Sequence, residues 1–169
     1  MNFSKRIRLL IGMPPILLIV ELFLAYSIIR NLNVFAFACF LMEPEFEPLV
    51  KTLITVTMAM LSSVFLVNTM FGLPSASRYS WRSAVRTLVF LLLASWSYEL
   101  IGTSYFNILP LTEMLILSVV AILILMLPQV RAYYVPPMIE MPPLKWWIKF
   151  CFLKPKEYLY EYKFTYNDN

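Results

Sequence analysis

Long apolar runs separated by short polar breaks organise this chain. The first extends from about Leu9 to Ile29 and encloses Glu21; the second extends from about Leu49 to Phe71 and is uncharged after Lys51. The third covers about Val85 to Ile101, with Arg86 and Glu99 near its ends, and the fourth about Ile108 to Leu127, with Glu113 a turn or so inside. A hydrocarbon layer about 30 Å thick is crossed by about 20 residues of helix. A barrel strand would instead alternate apolar and polar residues over about 10 positions. Lipid offers the backbone no hydrogen bonds, so continuous apolar runs must bond internally as helices. The pattern therefore predicts four transmembrane helices. Pro14 and Pro15 favour a helix start at that point, with residues 1–13 lying at the interface.

The breaks predict the connections. Residues 31–48 read as an outer loop, whose apolar run Val34 to Met42 is too short to span. Glu43, Glu45 and Glu47 follow in an EPEFEP element that prolines hold extended. One short loop rarely supplies the roughly six to eight oxygens of a calcium site, so it reads as solvated. Residues 72–81 form a short inner connection, and residues 102–107 a tight outer one that pairs the third and fourth spans.

Beyond Leu127 the character changes, dividing the chain into a bundle over 1–127 and an inner-side extension over 128–169. Pro128, Pro136, Pro137, Pro142 and Pro143 predict an extended strap over 128–143 rather than helix. In residues 144–154, Trp146, Trp147, Phe150 and Phe152 mingle with Lys145, Lys149 and Lys154, the mixture of a short helix at the inner interface. Over 157–166, Tyr158, Tyr160, Tyr162, Phe164 and Tyr166 occupy every second position. Strict period two predicts a β-strand. No other segment offers it a mate, so it is expected to join the β-sheet of a partner or a copy of itself.

Composition agrees with a membrane protein. Hydrophobic residues make up 60% and charged residues 14%, against about 25% charged in soluble domains. A soluble chain this small could not bury so much apolar surface. The net charge of +4 does not indicate nucleic acid, because the basic residues are dispersed around the spans. With the N-terminus inside, Lys5, Arg6, Arg8, Arg78, Arg82, Arg86, Arg131, Lys145, Lys149, Lys154, Lys156 and Lys163 fall on the inner side, and only Arg30 and Lys51 outside. That bias orients the bundle N-in and C-in, with both termini cytoplasmic. It also separates Cys39 from Cys151, so the two are expected as free thiols.

Candidate chemistry is sparse. The chain has no histidine, two cysteines and three glycines, so His-ligated metals, Cys-rich clusters and glycine-rich phosphate loops are unsupported. No cofactor, metal or catalysis is expected: the serines lack a His, Asp or mid-span Lys to activate them. Glu21 is the sharpest feature, a carboxylate near the middle of the first span, where a charge costs about 2.5 to 3.5 kcal/mol. It reads as an interhelical polar contact or as a coupling group; Glu99 and Glu113 read as anchoring charges at helix ends. Thr52, Thr55, Ala59, Ser62 and Ser63 place small residues on the second span for close packing. The expected function is a non-catalytic accessory subunit of a larger membrane complex. Its helices would pack against other integral subunits and lipid. Trp146, Trp147 and the aromatic tail would dock a partner. The competing expectation is a small oligomeric transporter or channel that uses Glu21.

Overall fold

The computed structural model describes residues 12–40, 46–102, 112–135 and 141–153, with side chains except those of 37–40, 46–48, 97–102 and 112. Helix α1 spans Pro15–Phe40, α2 Phe46–Gly72, α3 Arg78–Gly102 and α4 Thr112–Met126. Two short helices follow, α5 at Pro128–Tyr133 and α6 at Leu144–Phe152. The described residues contain helices, turns and coil but no strand. The strand expected at 157–166 lies outside them.

Helix α1 begins where its prolines predict, because Pro15 occupies the first turn, where a missing N–H costs nothing. It does not stop at Ile29. No glycine or proline interrupts residues 16–40, and Asn31 and Val34 are buried. Most of the expected outer loop is therefore helix, which corrects the 31–48 boundary. Pro48 falls in the first turn of α2, again a permitted place. Between α2 and α3 the chain tightens into a 3₁₀ turn at Leu73–Ser75, and Ala76 adopts a left-handed φ of 54° to reverse direction.

The predicted strap over 128–143 is also corrected. Pro128 starts α5 at its first position, where a fixed φ is pre-organised for helix; the interior rule for proline does not apply there. Residues 141–143 are non-helical, and 136–140 lie outside the described residues. The short amphipathic helix expected near 144–154 is α6.

The first four helices pack in a ring: α1 on α2, α2 on α3, α3 on α4, and α4 back on α1. Buried positions recur at helical spacing. They are Leu17, Val20, Leu24, Ser27, Asn31 and Val34 on α1; Thr55, Ala59, Ser62, Leu66 and Thr69 on α2; and Met114, Ser118, Ala121 and Leu125 on α4. The opposite faces are equally apolar. Ile19 and Leu22 on α1, Met60, Leu61, Val64 and Val67 on α2, and Ile116 and Leu123 on α4 are exposed. A helix of a soluble protein turns charge outward at such positions. The segments Pro15–Ala36, 22 residues, and Leu49–Ser75, 27 residues, are long and apolar enough to cross a membrane. Residues Glu113–Met126 are apolar but shorter.

Candidate functional site

Every helix leaves its last carbonyls without intrahelical partners. At one end of the ring, where α2 and α4 stop and α3 starts, side chains from distant elements supply the missing donors. Trp81 on α3 donates its indole N–H to the Leu125 carbonyl at 2.8 Å. Tyr134, just after α5, donates to the Leu73 carbonyl at 3.0 Å, and Tyr133 donates to the Pro74 carbonyl at 2.9 Å. Arg131 donates to the Met126 carbonyl at 2.9 Å and to that of Pro142 at 3.4 Å. Helix α6 is held the same way. Arg86 donates to the Cys151 carbonyl at 2.7 Å, and Arg82 donates to the Leu153 carbonyl. Both arginines place positive charge against the negative end of the α6 dipole.

Aromatic rings fill the space beneath these bonds. Trp81 meets Trp147 edge-on with centroids 4.5 Å apart, Trp147 meets Trp146 at 5.4 Å, and Trp146 stacks on Phe150 at 5.0 Å. The Arg82 guanidinium lies 5.2 Å from the Phe150 ring centre. Four helix ends are thus tied into one polar–aromatic plate.

Burial shapes the titratable groups of the plate. The Cys151 thiol is free and buried, and desolvation pushes its pKa up to about 11, with the charges of Arg86 and Arg82 pulling the other way. Burial raises the Tyr134 hydroxyl as well, with smaller contributions from Tyr133 and Glu21. Burial alone raises Tyr133 and lowers Arg131.

The expected site residues separate across the fold. Glu21 is buried at 7% exposure, but it is not central. It stands six residues from the start of α1, about 9 Å at 1.5 Å per residue, within electrostatic reach of Tyr134. The sequence counted the span from Leu9; the helix starts at Pro15 and runs on to Phe40, so the carboxylate belongs near the plate. Glu113, at the start of α4, accepts a hydrogen bond from the Tyr26 hydroxyl at 2.9 Å, and Arg30 lies 5.9 Å from the Tyr26 ring centre. Glu99 belongs to the last turn of α3, but its side chain lies outside the described residues. Trp146 and Trp147, expected to dock a partner, are buried in the chain's own core at 7% and 0% exposure. The amphipathic face of α6 closes the plate, which corrects that assignment. Tyr158, Tyr160, Tyr162, Phe164 and Tyr166 lie outside the described residues.

Sequence reasoning missed the capping roles of Trp81, Arg82, Arg86, Arg131, Tyr133 and Tyr134. It counted the arginines as topology charges only. The available signal was their position, within two turns of a predicted helix end. Among the described residues, no three His, Cys, Asp or Glu side chains gather as a metal site would require. Comparison with protein-family models, curated proteins and solved structures gave no match to this chain.

Proposed function

We propose that this chain is a non-catalytic, multi-pass subunit of a larger membrane protein complex, with all four long helices crossing the bilayer and both termini on the inner side. One observation carries the reading: the outward faces of α1, α2 and α4 are apolar over most of their lengths, with Asn33, Lys51, Asn68 and Glu113 among the exposed exceptions, while the polar groups at the plate close helix ends rather than converge on a reactive pocket. Such a bundle presents packing surface to lipid and to neighbouring helices. The aromatic tail over 157–166 is the element available to grip a partner's sheet. The test is purification of the full chain in mild detergent beside a chain truncated after Leu153. Integral proteins held at fixed stoichiometry by the full chain, and released by truncation, support the proposal. A full chain recovered free of other proteins contradicts it.

The transporter reading retains one supporting observation, the burial of Glu21, Ser27 and Asn31 along α1. Reconstituted alone, a transporter would carry a flux that Glu21→Gln abolishes. A subunit of the proposed kind shows none.

A further inference from the structure

Between α2 and α3, next to the plate, opens a groove of about 510 Å³, within the range of about 300–1,000 Å³ typical of ligand sites. Its walls are unlike at the two ends. Phe65 and Phe90, an edge-on pair with centroids 5.3 Å apart, line the end toward the middle of the helices. Asn68, Ser83, Arg82 and Arg86 line the end toward the plate, and no carboxylate is among the lining residues. Arg82 is 8% exposed, and its buried Nε has no hydrogen-bond partner among the described residues. Arg86 donates through Nε to Cys151 yet remains solvent-facing. The bonds of both guanidinium groups to backbone carbonyls at the end of α6 fix where these cations sit.

We infer that this groove binds one anionic phospholipid of the inner leaflet, its phosphate on Arg82 and Arg86 and an acyl chain along Phe65 and Phe90. The charge supports this occupant, because guanidinium groups recognise phosphate by paired, charge-assisted hydrogen bonds. The order of the walls supports it too: apolar toward mid-membrane and cationic at the boundary is the order of a lipid's own parts. Basic pockets between helices on the cytoplasmic side are a recurrent form of such recognition. The inference rests on the membrane-bundle reading above. The competing occupant is the chain's own segment after Leu153, whose carbonyl Arg82 already holds and which carries Glu157 and Glu161.

The experiment is native mass spectrometry of the delipidated full chain in detergent, titrated separately with phosphatidylglycerol, phosphatidylcholine and inorganic phosphate. The expected result is a single phosphatidylglycerol adduct, preferred over phosphatidylcholine by about tenfold or more, because both lipids offer the phosphate but only phosphatidylcholine brings a choline cation that the two guanidinium groups repel. Phosphate alone leaves no adduct, because it lacks the chain that the phenylalanines hold. Arg86→Gln weakens the adduct. Ser83→Glu does so without touching any bond to α6, which keeps the test clear of a folding defect. Equal retention of the two lipids, indifference to Ser83→Glu, or an adduct that appears only after truncation at Leu153 would each overturn the lipid site. Resistance of the same chain to carbonate extraction from membranes reads the bundle separately, so a failed lipid preference leaves that reading intact.

Discussion

The middle of α2 and the plate at one end of the ring solve the same problem in opposite ways. Both must provide for polar groups away from water. Along α2, Thr55, Thr57 and Ser63 return their hydroxyl protons to the carbonyls four residues earlier, at 3.0, 2.8 and 2.8 Å, and Ser62 does the same. Each group is satisfied within its own helix, so small residues can face a neighbour without depending on it. At the plate, the donors come from 44 to 71 residues away for the bonds of Trp81, Arg82, Arg86, Tyr133 and Tyr134. Local satisfaction tolerates sliding and repacking, whereas long-range satisfaction fixes one arrangement. The plate is therefore the part of the bundle that sets its geometry, and the α2 hydroxyls add no constraint of that kind.

Substitutions at the plate should be costly, and those along α2 mild. Trp81→Ala removes a fully buried ring, its contact with Trp147 and the donor to Leu125. It should cost about 3–5 kcal/mol, read as a large fall in thermal midpoint in detergent. A loss no greater than that of an outward-facing residue would break the comparison.

Cys151 reports the same region by rate. At about pH 8 a thiol with a pKa near 11 instead of 9.0 holds about one-hundredth of the reactive thiolate. In a Cys39→Ser background, alkylation should be slow in the folded chain, fast once it is unfolded, and faster as pH rises. Folding retains this proton, so its stabilising contribution is complete below pH 9.0 and is lost as pH climbs through about 11. Rapid labelling of the folded chain at neutral pH would show that α6 does not seal the plate.

Arg131→Gln removes donors to Met126 and Pro142 and leaves buried carbonyls uncapped. A loss of about 1–3 kcal/mol is expected, measured by chemical unfolding. Thr69→Val breaks the buried 2.7 Å bond to Thr87, a direct link between α2 and α3. Interhelical bonds of this kind average about 0.6 kcal/mol, so a small fall in midpoint should result. Val64→Ala, on the exposed face of α2, should change stability by no more than about 0.5 kcal/mol. A fall in co-purified partners at unchanged stability would identify that face as an interface.

What was legible in the sequence follows the same division. The helical character of the described residues and the approximate positions of α1 to α4 could be read because hydrophobic runs and prolines act locally. The same local signals failed where position within a helix decided the outcome. Pro128 was read as a breaker although it begins a helix, and residues 31–40 were read as loop although nothing in them stops a helix. Glu21 was placed mid-span because the apolar run was counted from Leu9 to Ile29, whereas the helix that starts at Pro15 runs on to Phe40. Trp146 and Trp147 carry an amphipathic signature that marks a buried face without naming what buries it, and here it is the chain's own bundle. The pairing of Arg86 with Cys151, or Tyr134 with Leu73, joins residues far apart in sequence and leaves no periodic trace.

The central claim is a four-span bundle with the plate on the side of both termini. Impermeant maleimide labelling of single cysteines in sealed, oriented vesicles measures it directly, using chains in which Cys39 and Cys151 are replaced. Ser77→Cys and Asn169→Cys should react from the cytoplasmic side only, and Ser104→Cys from the opposite side only. Labelling of Ser77→Cys and Ser104→Cys from the same side would remove the third crossing and contradict the account.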